Sequence, residues 1–264
     1  TRVRSSAASD VYKRQGYQLV SARNRGGDST FMNYGYAPPD HPRFDIRLPE
    51  GGEIYRNSAQ LYYHVASAVD LGGKDVLEVG SGRGGGSAFI KRQFLPRSVT
   101  GVDFASKAVS FCNGHYHIDG LSFMKGDAEN LPCTAQSFDV VINVESSHCY
   151  PSFPRFLKQV RVVLRPRGYL LFADLRRQQD AILLRDQFRE AGFQVLEEER
   201  ITADVVHALE LDDARSLSLI RQSIPPLLRN VSREFLGVKG SRVHEDLRTG
   251  ALEYLRFVLR KVDR

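Results

Sequence analysis

The stretch DVLEVGSGRGGG, residues 75 to 86, limits the choice of fold more than any other part of the chain. Val76 to Val79 is an apolar run of strand character that feeds directly into Gly80, Gly82, Gly84, Gly85 and Gly86. A strand ending in a glycine-rich turn brings backbone N–H groups close to a ligand, normally an anion. Glu78 sits awkwardly there. A carboxylate at the end of the strand repels a pyrophosphate, and an acid in so apolar a run is costly without a partner. The turn therefore suits a ligand that carries positive charge near the glycines and no phosphate.

The surrounding chain supplies the frame for such a loop. NSAQLYYHVASAV (57 to 69) repeats apolar residues at helical spacing, with Asn57 or Ser58 as N-cap, and leads into the first strand. SVTGVD (98 to 103) reads as a second strand, SKAVSFCNGHYHI (106 to 118) as a helix and LSFMKGD (121 to 127) as a third strand. FDVVINVE (138 to 145) is almost continuously apolar, as expected of a strand buried on both faces. FPRFLKQVRVVL places Phe153, Phe156, Leu157, Val160, Val163 and Leu164 on one helical stripe, and Pro166 and Gly168 break it before the strand YLLFADL. Strands alternating with helices imply a parallel sheet with right-handed crossovers.

The C-terminal part leaves that rhythm. After a helix ending near Ala191 and Gly192 and the strand FQVLEEERIT comes a helical stretch, 203 to 228, read as an inserted cap rich in leucine and valine. GALEYLRFVLRKV then alternates at period two and reads as a final strand at or near a sheet edge. The expected organisation is a non-native or disordered tail over 1–15, a segment closing over the site over 16–56, and one α/β domain over 57–264. TRVRSSAASDVYKRQ lacks any periodicity and resembles translated adapter sequence.

In an open parallel sheet, ligands lie beyond the carboxyl ends of the strands, where strand order reverses. Gly80-x-Gly82-x-x-Gly85 satisfies the dinucleotide pattern, and Asp103, at the end of the second strand, can accept from ribose hydroxyls. Dehydrogenases and methyltransferases share those features, so an NAD(P)-dependent oxidoreductase is an alternative. Glu78 favours S-adenosylmethionine, whose ammonium it could meet directly or through water. Phe104 could flank the adenine, Asp127 could accept from its exocyclic amine beside the Ala128 backbone, and Asp127 has a turn role as its rival. Ser81, Gly84 and, on the fourth strand, Asn143 are counted with the same cofactor contacts.

Glu78 and its glycines, GVD, GDAENLP and FDVVINVE arrive in the order and spacing of class I S-adenosylmethionine-dependent methyltransferases, and the resemblance covers roughly residues 57 to 175. It implies a Rossmann-like, seven-stranded, mostly parallel sheet with an antiparallel last strand and helices on both faces. FMNYGY, SAQLYYHVA, VLEVGSGRGGGSAFI, NVESSHCYPSFPRFL and REFLGVKGS together look like the phthiotriol and phenolphthiotriol dimycocerosate methyltransferases, associated with O-methylation of a long-chain lipid alcohol. Ser81 stands where that group commonly has cysteine.

Methyl transfer from a sulfonium needs alignment, exclusion of water and, for a hydroxyl acceptor, removal of a proton. His148, just after the fourth strand, is the candidate base, and Glu145 is its alternative or its partner. Tyr34 and Tyr36 are candidates to line or close the acceptor pocket, against a plain packing role. The leucine-rich 203–228 stretch suits an apolar small-molecule acceptor: a lipid, polyketide or terpenoid. A cofactor-binding module without turnover is a further alternative.

The remaining features mostly exclude. With 264 residues and 42% hydrophobic content the chain can fill a large core, and it shows no run long enough to span a bilayer, so a cytoplasmic location is expected. The net charge of +6 is spread along the chain without a nucleic-acid-binding signature; peripheral contact with lipid is compatible with it, as is a homodimer. Cys112, Cys133 and Cys149 lack Cys-x-x-Cys spacing, and His115-x-His117 has no further ligand set, so no metal is expected.

Overall fold

The computed structural model describes residues 30–39 and 44–263. The expected tail over 1–15 lies outside the described residues, as do 16–29 and 40–43 of the segment expected to close over the site.

Seven strands form one sheet in the order β3-β2-β1-β4-β5-β7-β6. They are β1 (Asp75–Val79), β2 (Ser98–Asp103), β3 (Leu121–Lys125), β4 (Phe138–Val144), β5 (Leu164–Arg177), β6 (Phe193–Arg200) and β7 (Leu252–Lys261). β1, β2, β3, β4 and β5 pair in parallel, whereas β7 runs antiparallel to both β5 and β6. The chain builds outward from β1 through β2 to β3, then crosses back to place β4 on the other side of β1. That reversal opens a crevice at the carboxyl ends of β1 and β4.

The helices are α1 (Arg56–Ala66), α2 (Gly85–Phe94), α3 (Ser106–His115), α4 (Phe153–Val163), α5 (Gln178–Ala181), α6 (Leu184–Glu190), α7 (Thr202–Ser223), α8 (Arg229–Phe235) and α9 (Arg242–Thr249). α4 shows how the chain specifies them. Ser152 caps it by accepting the Arg155 N–H, Pro154 occupies its first turn, and Phe156, Leu157, Val160 and Val163 bury one stripe.

Alternation along the strands sends side chains to two cores. Val76, Val140 and Ile142 pack with Leu61 and Val65 of α1, Ile90 of α2, and Val205 and Leu209 of α7. Leu77, Val79 and Val141 pack with Phe156 and Val160 of α4 and with Phe188 of α6. In the second core Phe172, Phe188 and Phe257 meet pairwise at ring separations of 5.1 to 6.2 Å, edge-on or tilted. Each such pair adds about 0.5–1.5 kcal/mol beyond its buried area.

β7 lies second from the edge, and its alternation does not mark an exposed face. Both of its faces are buried from Glu253 to Leu259, because β6 lies outside it and α7 and α9 pack against it. Its polar side chains are paired: Arg256 with Glu197 and Glu199, and Glu253 with Arg200.

Candidate active site

The β1–α2 turn folds back over the tip of β2. The N–H groups of Gly80 and Ser81 donate to the Val102 carbonyl, and the Gly82 N–H donates to Asp103 Oδ2 at 2.9 Å. Asp103 Oδ1 accepts the Ala105 N–H at 2.8 Å, so one carboxylate fastens both loops. Gly80 needs to be glycine twice over: its φ is 81°, and a Cβ there would overlap Ser146 at the end of β4. Gly86 lies against the Tyr62 ring, where a Cβ would also collide.

Glu78 is fully buried on β1. Its carboxylate accepts from the Tyr62 hydroxyl at 2.6 Å and from the Ser87 hydroxyl. Burial pushes its pKa up to about 7, although both hydrogen bonds favour the anion. Glu78 therefore sits one layer behind the crevice, hydrogen-bonded to Tyr62, which lines the cavity.

At the end of β4 the backbone turns sharply. Glu145 has a left-handed φ of 46°, rare for a residue with a side chain, and a short 3-10 turn, Ser147–Cys149, follows. Glu145 Oε1 accepts the Tyr34 N–H and the Tyr254 hydroxyl, each at 2.8 Å. Burial raises its pKa to about 8. His148 Nδ1 lies 2.7 Å from Asp174 Oδ1, and the His148 backbone N–H donates to Asp174 Oδ2 at 2.9 Å. Asp174, fully buried on β5, also accepts from the Ser147 hydroxyl and pairs with Arg176 at 3.0 Å. Burial of the imidazole opposes its protonation, but the charge of Asp174 and the neighbouring Cys149 outweigh it, and the His148 pKa lies well above 6.5.

These elements enclose a cavity of about 1220 Å³. Of the residues singled out in the sequence, Gly80, Ser81, Gly82, Asp103, Phe104, Asp127, Ala128, Glu145, His148 and Tyr34 line it. Glu78, Gly84, Asn143 and Tyr36 stand behind its wall. Asn143 donates to the Val79 carbonyl, Ser146 Oγ and the Tyr150 hydroxyl, which ties β4 to β1. Tyr36 stacks on His64 at 4.3 Å, and Gly84 caps the start of α2. Asp127 Oδ1 accepts the Glu129 N–H at 2.9 Å, leaving its second oxygen for a ligand. Among the described residues, none of 203–228 lines the cavity; Val231, Phe235 and Val243 do.

Sequence reading passed over Asp174, Arg176 and Tyr254. Asp174 carried a usable signal, an acid within the apolar strand YLLFADL.

Residues 77–172 match the model of a methyltransferase domain. The phthiotriol/phenolphthiotriol dimycocerosates methyltransferase of Mycobacterium tuberculosis is 38% identical over 97% of this chain and 95% of its own length. The chain belongs to the S-adenosylmethionine-dependent methyltransferases. A fatty-acid O-methyltransferase of Mycolicibacterium smegmatis is 39% identical over 90% of this methyltransferase and 85% of that protein. The crystal structure of geranyl diphosphate C-methyltransferase from Streptomyces coelicolor, solved with S-adenosyl-L-homocysteine, superposes with a TM-score of 0.66 at 17% identity, covering 93% and 98% of the two chains. At that identity the likeness shows the fold.

The cavity suits the methyltransferase's cofactor. Ser81 lines it, although its Oγ is turned against Gly101 of β2 and has no hydrogen-bond partner among the described residues. Beside it lie the Asp103 carboxylate and the half-exposed ring of Phe104.

Proposed function

We propose that this methyltransferase acts at a hydroxyl oxygen of an apolar, lipid-like or terpenoid-like acceptor, with His148 as the general base. The observation that carries the reading is the pairing of His148 with the buried Asp174 at the cavity wall, 2.7 Å apart. Nδ1 is committed to Asp174, so Nε2 is the nitrogen that takes the acceptor's proton in this reading, in competition with the neighbouring Cys149 thiol, which also hydrogen-bonds the ring. S-adenosylmethionine supplies a methyl group already activated by its sulfonium. Ser81, Asp103, Phe104 and Asp127 hold that cofactor at one end of the cavity, with Glu78 acting behind Tyr62.

The protein's own contribution is alignment, exclusion of water and proton removal. Alignment of two bound reactants is worth up to about 7–11 kcal/mol, and a positioned base adds about 10²- to 10⁴-fold. Asp174 holds the imidazole in one orientation and stabilises the imidazolium that forms when it takes the proton. Glu145 is a weaker candidate for that task, because the oxygen described above already serves Tyr34 and Tyr254. Leu175, Val231, Phe235, Val243 and Leu252 give the cavity an apolar strip, interleaved with Arg177, Glu234, Arg242 and Asp246, and that strip favours an acceptor with a hydrocarbon body. The names of the two mycobacterial relatives point the same way: one concerns a dimycocerosate and the other a fatty acid.

The test is turnover with isotopically labelled S-adenosylmethionine and a panel of long-chain alcohols and fatty acids, read by mass spectrometry. A single methyl ether or ester is expected, and His148→Ala should slow its formation about 10²- to 10⁴-fold while leaving S-adenosylhomocysteine affinity nearly unchanged. Methylation at carbon or nitrogen, or full activity in the variant, overturns the reading.

A further inference from the structure

The mouth of the cavity carries apolar side chains turned out to solvent. Leu183 and Val231 line the cavity yet remain 51% and 58% exposed, and next to them in the chain Ile182 is 74% and Leu227 93% exposed. Isolated exposed leucines are ordinary, but four at one opening are a patch with a direction. Two connections bring them to the same rim. The Gln178 N–H donates to the Ala251 carbonyl, which ties α5 to the end of α9, and α9 in turn packs on α8. Leu227 and Val231 are four residues apart across the entry to α8.

The charge around the patch is mixed at the mouth, where Asp180, Glu234 and Asp246 line the cavity, and mainly basic along the segment that carries Leu227 and Val231. Residues 221 to 242 contain Arg221, Arg229, Arg233, Lys239 and Arg242 against the single acid Glu234. Among the described residues, neither Arg233 nor Arg177, which lines the cavity, is paired with a carboxylate. Exposed apolar side chains set among unpaired guanidinium groups complement a surface that offers hydrocarbon beneath anionic headgroups. No helix among the described residues is long and apolar enough to cross a membrane, so the contact lies in the plane of the interface.

We propose that Ile182, Leu183, Leu227 and Val231, with the arginines around them, dock this protein on an anionic phospholipid bilayer, so that the acceptor passes from the leaflet straight into the cavity. The last clause rests on the apolar-acceptor reading above; the docking itself does not. A hydrocarbon acceptor that had to cross water would first have to expose its chain on leaving the leaflet, a barrier that direct transfer avoids.

The test is co-sedimentation with vesicles of phosphatidylcholine and phosphatidylglycerol in a 7:3 ratio, set against phosphatidylcholine alone. Binding to the anionic vesicles, weakening with added salt, is expected. Ile182→Asp with Leu227→Asp should lower the partition coefficient by about tenfold or more, and Arg233→Gln by about fivefold. Ile182 and Leu227 do not line the cavity, so S-adenosylhomocysteine affinity measured by calorimetry should stay at the wild-type value and report an intact fold. A wild-type protein that binds S-adenosylhomocysteine but stays in the supernatant overturns the docking while leaving the transfer chemistry standing. Vesicle binding equal in the double variant also overturns it. So does a wild-type dimer that the double variant dissociates in sedimentation velocity, which would assign the patch to a second copy of the chain.

Discussion

At the end of the cavity proposed to hold the cofactor, each polar group comes from the tip of a strand and from a short, contiguous motif: Ser81 after β1, Asp103 closing β2, Asp127 just beyond β3. At the acceptor end, His148 depends on Asp174, 26 positions further on, and Glu145 is held by Tyr34, 111 positions away, and by Tyr254, 109 positions away. The first end is local chemistry on a sheet edge; the second is an assembly. Binding of a cofactor that many acceptors share can be written into loops, whereas the acceptor's base has to be set by parts of the chain that meet only after folding.

If that contrast is real, damage at the two ends should separate into lost binding and lost turnover. The largest effect is expected at Gly86, where Val would drive the Tyr62 ring away from its place and, with it, the hydroxyl that Glu78 accepts. Overpacking of this kind costs about 1–3 kcal/mol or more, so Gly86→Val should show a lowered melting temperature and no calorimetric S-adenosylhomocysteine binding. Wild-type affinity in that variant would show that the glycine turn is dispensable and break the comparison.

Asp174→Asn should leave cofactor affinity nearly unchanged and slow transfer by about 10²-fold or more. It should also change the pH profile. In the wild type the charge of Asp174 holds the His148 pKa above the ordinary histidine value, so kcat/KM should climb as pH rises through that raised value and the base is freed. The stabilising pairing with Asp174 is fully present below the ordinary histidine pKa and fades over the same rise. In the variant the climb should begin at lower pH, because the burial that lowers the imidazole pKa is no longer opposed by the charge of Asp174. A profile that does not move removes the pair from the chemistry.

The smallest effect belongs to Asp127→Ala. One oxygen of Asp127 already serves the Glu129 N–H, so the loss of a single ligand contact should weaken S-adenosylhomocysteine by less than about tenfold, with turnover at saturation unaltered. A fall in saturated turnover would mean that the cofactor end also shapes the reaction, which would blur the division.

The strands β1, β2, β3 and β4 were legible because their apolar runs and glycine or proline breaks are local. Glu78 announced itself as an acid in an apolar run, but its contact with Tyr62 rather than with the cavity did not, since nothing in the spacing says how far behind the crevice a side chain comes to rest. Asp174 carried the same kind of signal and was passed over because the strand around it reads as plain core. Tyr36, grouped with Tyr34 by sequence, lies off the cavity and stacks on His64, because Gly35 between them has a φ of 84° and breaks the extended geometry in which positions two apart share a face.

The amino-acid sequence alone determined the alternation of strands and helices and the glycine turn after β1, since these follow from periodicity and glycine, both short-range properties, while the seven-stranded sheet with its antiparallel last strand came from the family resemblance. Only the tertiary structure decided which acid stands behind His148, which tyrosine reaches the cavity and where the apolar mouth opens. Those depend on the packing of β5, β7, α8 and α9 against one another, and a contact between residues far apart in the chain leaves no periodic trace in either partner.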